Sequence, residues 1–106
     1  MTQRILRRHE RVLVPDAVDT HVTGNEGTAP LEGVATVIGL GGMFVRTKAA
    51  RPCGTVLSLV LTARAISIAA EGTVRNVAEN GIGVEFTALT PENEQELKKF
   101  LLQLRA

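Results

Sequence analysis

Apolar residues recur at every second position along most of this chain, and at every third or fourth position only at its end. The clearest two-residue period is TVLSLVLTA, residues 55 to 63, where Leu57, Leu59 and Leu61 alternate with Val56, Ser58, Val60 and Thr62. Successive side chains of a strand point to opposite faces, so this segment predicts a strand with one face nearly pure leucine. RVLVPDAV (11–18) opens with a β-branched run, and GVATVIGL (33–40) and GMFVRT (42–47) predict short strands on either side of a glycine-dense turn. ISIAAEGTVRNV (66–77) and GIGVEF (81–86) predict two more, joined through AENG. Asn80-Gly81 favours the positive φ of a tight hairpin turn. VDTHVTGNEGTAPLE (18–32) reads as extended chain broken by a turn at Gly24–Gly27, and ARPCG (50–54) as a Pro/Gly turn. Many short strands at this spacing predict a barrel or a sandwich.

The period changes in LTPENEQELKKFLLQLRA. Thr90 stands as N-cap and Pro91 at the first helical position, with Glu92, Glu94 and Glu96 near the positive end of the dipole. Leu97, Phe100, Leu101 and Leu104 then recur at i, i+3, i+4 and i+7, one apolar stripe, with Lys98, Lys99 and Arg105 toward the negative end. The stripe is expected to cover an opening or one side of the barrel and close its core; the alternative is that it is offered to a partner. The expected architecture is all-β with one terminal helix.

Composition narrows the function classes. The 106 residues suffice for one small domain, and 44% of them are hydrophobic, so the core is built largely from aliphatic side chains. With a net charge of +1 there is no global attraction to duplex DNA or RNA, and with three Phe, no Tyr and no Trp there is little to stack single-stranded bases on. No nucleic-acid partner is therefore expected. One cysteine, Cys53, forms no intrachain disulfide and no metal-ligand pattern, which fits a reducing compartment. No apolar run approaches a membrane span, and no apolar stretch follows the charged first residues, so the expected location is cytoplasmic.

Catalytic chemistry finds no foothold. His9 and His21 lack metal spacing with Cys, Asp or Glu, and neither a nucleophile elbow nor a Walker loop is present. Asp16 and Asp19 read as a solvated turn. Cys53 would be reactive only if a cation such as Arg51 lowered its pKa; a small buried or half-buried turn residue is the simpler reading. The expectation is a binding protein, without enzymatic activity, metal or cofactor.

Two stretches carry binding chemistry. Arg4, Arg7, Arg8 and Arg11 crowd the first eleven residues against one acid, Glu10, in the segment ending RRHER. A guanidinium is a rigid fork of donors that fits a phosphate, or the O6/N7 edge of guanine, in bidentate fashion. Composition alone favours a solvated basic terminus over a ligand clamp. The second stretch, VIGLGGMF (37–44), has Gly39, Gly41 and Gly42 but no following helix, so it is not a dinucleotide fingerprint. It permits close backbone approach to a ligand, or merely a tight barrel corner.

Order and spacing connect them. R-x-x-x-R near the N-terminus is followed by GVATVIGLGGMFVRT, a P-x-G-T-x-L-x-L strand, GTVRNVAENGIGVEF and a terminal amphipathic helix. From about Arg7 to Leu104 the chain resembles the PilZ domain family. That resemblance implies a small antiparallel β-barrel closed by a C-terminal helix, as one domain over 1–106: a basic arm (1–11), the barrel (12–87) and the helix (90–105). It also implies a module of bacterial cyclic di-GMP signalling. Arg7 and Arg11 match the family's R-x-x-x-R, with Arg8 as the frequent extra arginine, and in the family these side chains take guanine edges and phosphates. Arg4 with Arg8 is an overlapping match.

The family's second motif, D/N-x-S-x-x-G, aligns on Gly42, with Val37 at the acceptor position and Gly39 at the serine. Ligand contacts are thus expected from Arg7, Arg8, Arg11, Gly39 and Gly42, with Val37 and Gly39 as degenerate positions. A bidentate base contact is worth ~1–3 kcal/mol and a neutral hydrogen bond ~1 kcal/mol. Losing both weakens binding roughly 30- to 1000-fold, unless Glu or Asn side chains from elsewhere substitute. A similar string, Asn76-x-Ala78-x-x-Gly81, lies in a different hairpin and is set aside. The competing function is a PilZ adaptor that does not bind the nucleotide and acts on a protein partner through the helix or an exposed barrel face.

Overall fold

Alternation of buried and exposed side chains organises the strands of the computed structural model, which describes residues 11–27 and 29–105. In chain order the strands are β1 (Arg11–Leu13), β2 (His21–Glu26), β3 (Ala29–Gly39), β4 (Gly42–Arg46), β5 (Val56–Ala63), β6 (Ile66–Ala78) and β7 (Gly81–Ala88), followed by helix α1 (Pro91–Arg105). All pairings are antiparallel, in the order β1-β3-β2-β5-β6-β7-β4. A further β3–β4 pairing joins the ends, so β2 to β7 form a closed six-stranded barrel, with β1 added along the end of β3. Closure leaves no free edge among those six strands.

β5 shows how the alternation becomes a core. Leu57, Leu59, Leu61 and Ala63 point inward and are buried, while Val56, Ser58, Val60 and Thr62 face outward. Ile38, Met43, Val45, Val74 and Ile82 complete the aliphatic interior from the other strands. Fully burying side chains of this size is worth about 1.5–3 kcal/mol each.

β3 has three neighbours because it bends. Its first half pairs with β2, its second half with β4, and the register slips between Ala35 and Val37. Thr20, itself buried, acts as a rung there: its Oγ1 donates to the Ala35 carbonyl and accepts the Ala35 N–H, both at 2.9 Å. Pro15 lies just beyond β1, and Val14 N–H makes the last bond in this ladder, to the Thr36 carbonyl at 2.9 Å.

The turn expected at Gly24–Gly27 is shorter than that span. Gly24 belongs to β2, where a Cβ would stand 2.9 Å from Leu59 Cδ2 on β5; the chain reverses after Glu26, with Gly27 at φ 62°. Here glycine admits a close neighbour in a strand interior rather than breaking the strand.

The helix begins as its sequence predicts. Thr90 Oγ1 accepts the Asn93 N–H at 3.2 Å, and the Glu94 N–H bonds the Thr90 carbonyl at 2.9 Å. Asn93 then ties the helix to the barrel, its Oδ1 accepting the Ala69 N–H of β6 at 2.8 Å. The apolar stripe turns onto the barrel, chiefly onto β6 and partly onto β1: Leu97, Phe100 and Leu101 are buried and Leu104 is half-buried. The stripe is therefore core and is not presented to a partner; Leu102, on another face, is exposed. No helix among the described residues is long and apolar enough to cross a membrane.

Candidate functional site

The cross-strand register brings Arg11, the last residue of the basic segment, to the glycine turn. In the β1–β3 ladder Arg11 lies opposite Gly39, Val12 opposite Ile38 and Leu13 opposite Val37. Beyond Gly39 the chain turns through Leu40 and Gly41 into β4. Gly41 is anchored from behind, its carbonyl accepting the Phe86 N–H of β7 at 2.8 Å. Gly42 pairs with Glu85, and a Cβ at this position would run into the Val84 carbonyl oxygen, with Glu85 Cα 3.2 Å away. The last glycine of the turn thus has a steric reason of its own: it lets β4 lie directly against β7.

Outside this corner is a cavity of about 600 Å³, within the usual range for small-molecule sites. Arg11 and the Gly39–Gly42 turn form one side. Residues from β6 and β7 form the other, among them Arg75, Asn76 and Glu85. The arrangement offers guanidinium forks, a carboxylate, a side-chain amide and a close backbone surface in one hollow. Those are the groups that recognise a base edge and a phosphate together.

Each site residue expected from the sequence can be located, with two exceptions. Arg11, Gly39 and Gly42 lie together on the cavity. Arg7 and Arg8 fall outside the described residues. Val37 is half-buried in β3, opposite Leu13 on one side and Phe44 on the other, and is not among the cavity-lining residues.

The β6–β7 side was missed. The register slips between Val74 and Asn76, so Arg75 is the extra residue of a β-bulge. A bulge bends its strand and re-aims its side chains. Arg75 meets Glu85 there, Nε to Oε1 at 2.6 Å, with both side chains more than half exposed (60% and 53%). Asn76 lies over Gly83, whose added Cβ would meet its Oδ1. The Asn76–Gly81 string set aside as lying in a different hairpin therefore contributes its first residue to this same cavity. A signal was present: polar Arg75 and Asn76 are consecutive between Val74 and Val77, which a regular two-residue period would not place side by side.

The other candidates settle into ordinary roles. Arg51 stitches turns together: its guanidinium bonds Glu26 Oε1 (3.2 Å), the Ala49 carbonyl (2.8 Å) and the Pro30 carbonyl (2.9 Å). Cys53 is exposed rather than buried, and its thiol donates to the Arg75 carbonyl at 3.3 Å. Asp16, Asp19 and His21 are exposed, with His21 4.0 Å from Glu32. Among the described residues no cluster of His, Cys, Asp or Glu could hold a metal ion.

Comparison with known proteins bears on the fold and the family. The PilZ domain of YcgR from Escherichia coli, solved with c-di-GMP, superposes with a TM-score of 0.77 at 17% identity, covering 97% of this chain and 92% of that one. The K. pneumonia MrkH–c-di-GMP complex gives 0.81 at 21%, covering 99% of this chain and 54% of that one. The Bacillus subtilis inhibitor of motility MotI/DgrA gives 0.72 at 18%, covering 99% and 52%. The chain thus spans about half the length of the latter two, and at these identities the likeness is one of fold. No curated protein matched in sequence. The PilZ domain family model matches residues 5–103, nearly the whole length, and the chain belongs to the PilZ domain family.

Proposed function

We propose that this PilZ domain is a binding module of cyclic di-GMP signalling that takes the dinucleotide in the cavity between Arg11, the Gly39–Gly42 turn and the β6–β7 hairpin. The observation that supports this most is the register: Arg11 opposite Gly39 sets the last residue of R-x-x-x-R beside the glycine turn on one hollow. Arg7 and Arg8 would add their guanidinium forks to the guanine edges and phosphates from the preceding arm. Ordering of that arm on the ligand is then the output signal. The role is binding rather than catalysis. Similar folds solved with c-di-GMP, YcgR and MrkH, support the ligand class.

A second reading has its own support. Val37 is a half-buried hydrocarbon where the family motif places an acceptor, and Gly39 lacks the serine hydroxyl. A domain with so weak a grip would serve as an adaptor for a protein partner. With Leu97, Phe100 and Leu101 buried, such a partner would use a face other than the apolar stripe. Titrating the wild type and Arg11→Ala with cyclic di-GMP separates the readings. A receptor binds, and loses most of its affinity with Arg11; an adaptor shows no saturable binding in either form.

A further inference from the structure

The motif positions Val37 and Gly39 carry no polar side chain, yet the wall of the cavity opposite the glycine turn holds a carboxylate and a guanidinium in contact. We infer that Glu85, paired with Arg75, supplies the missing guanine-recognition contacts from β7 and β6 and sets the base preference of the site. This deepens the reading of the cavity as a cyclic dinucleotide site and rests on it.

Three observations bring these side chains to the ligand. First, Gly42 lies opposite Glu85 and allows β4 to approach β7 closely, so Glu85 sits one strand away from the glycine turn. Second, the bulge between Val74 and Asn76 turns Arg75 toward Glu85. Third, that bulge is braced from its other edge. The Gly54 N–H bonds the Val74 carbonyl at 2.8 Å, the Val74 N–H bonds the Thr55 carbonyl at 2.9 Å, and the Cys53 thiol takes the Arg75 carbonyl. The backbone under Arg75 is thereby held while its side chain stays exposed.

The chemistry matches one base. The Watson–Crick edge of guanine presents N1–H and the N2 amino group as adjacent donors, and a carboxylate accepts both. The neighbouring O6 and N7 are acceptors that fit an arginine fork. A contacting Glu–Arg pair therefore offers acceptor and donor side by side, in the order guanine presents donor and acceptor. Adenine offers an amino donor and an unprotonated N1, whose lone pair faces the carboxylate unfavourably. The Arg75–Glu85 pair is solvated, and such exposed pairs contribute little, so opening it for a base lowers affinity by roughly fivefold at most.

The test is calorimetric titration with cyclic di-GMP and cyclic di-AMP on the wild type, Glu85→Ala, Glu85→Gln and Arg11→Ala, each checked for native circular dichroism. Both Glu85 variants change an exposed side chain and leave the fold intact. Glu85→Ala is expected to lose at least about tenfold in affinity for cyclic di-GMP. Glu85→Gln is expected to narrow the preference for guanine over adenine, since an amide can donate to as well as accept from a base. Cyclic di-GMP affinity within twofold of wild type for Glu85→Ala, with binding still lost in Arg11→Ala, would overturn this inference and leave the dinucleotide reading standing. An unchanged guanine preference in Glu85→Gln overturns it equally. A wild type that binds neither dinucleotide overturns both.

Discussion

Arg11 and Gly39 face one another across the β1–β3 ladder, and this pairing sets the last arginine of R-x-x-x-R beside the glycine turn. The two segments are far apart in sequence and meet only because β1 adds to the end of β3. The same ladder sets Leu13 opposite Val37, so the degenerate motif position lies two residues further along the contact. The pairing fixes where a restored acceptor would stand and which neighbours it would displace.

That geometry makes a gain-of-function prediction. Val37→Asp combined with Gly39→Ser returns an acceptor and a hydroxyl to β3, together worth about 2–4 kcal/mol of binding. In the Glu85→Ala background, where those contacts are not already made from β7, the double variant should bind cyclic di-GMP at least about 30-fold more tightly than Glu85→Ala alone. Val37 is half-buried, so circular dichroism must confirm a folded chain. A folded variant with no gain over Glu85→Ala would show that the turn does not touch the ligand.

Gly42 has a steric role that is independent of any ligand. Its Cβ would collide with the Val84 carbonyl, which belongs to backbone and cannot swing aside as a side chain does. Gly42→Ala should separate β4 from β7 and destabilise the barrel by about 1–3 kcal/mol, the usual cost of overpacking. Urea unfolding checks this, and a change below ~0.5 kcal/mol would mean that the two strands yield freely.

Phe100 is fully buried where α1 covers the barrel. Phe100→Ala should cost about 3–5 kcal/mol and lower the thermal midpoint by roughly 15 °C or more. The same variant tests the helix as a closure of the core: a stable Phe100→Ala chain would mean that the barrel does not depend on it.

Thr90 and Asn93 make the junction between β7 and α1. Thr90→Ala removes the N-cap and should cost about 0.5–2 kcal/mol. Asn93→Ala releases the Ala69 N–H and should cost about 1 kcal/mol. The two share a hydrogen bond, Asn93 Nδ2 to Thr90 Oγ1 at 2.8 Å, so the double variant should lose less than the sum. Strict additivity in denaturant titrations would contradict the shared cap.

Much of this fold was legible because burial in a small barrel follows simple periods. The Leu57–Leu59–Leu61 face and the Thr90-Pro91 helix start each carry their signal within a few residues, and the hairpin expected at Asn80-Gly81 forms, though neither residue takes the positive φ expected of it. What stayed hidden depends on pairing across the chain. Gly24 reads as a turn residue until Leu59 of β5 is placed against it. The β5–β6 connection lacks a glycine, and Arg64 takes φ 56° there, a conformation uncommon outside glycine. On the site, the local motifs identified Arg11 and the glycine turn. They could not place Arg75, Asn76 and Glu85, because a bulge in β6 and the closure of β4 on β7 bring those residues to the cavity.

The central claim, that this cavity takes a cyclic dinucleotide although Val37 and Gly39 have lost the usual contacts, rests on one titration. Calorimetry of the folded wild-type chain with cyclic di-GMP should give saturable heat with a dissociation constant in the micromolar range, below about 100 µM, as expected if other cavity groups restore what the turn lacks. Folded protein that gives no heat at about 100 µM ligand would contradict the claim and favour the adaptor reading.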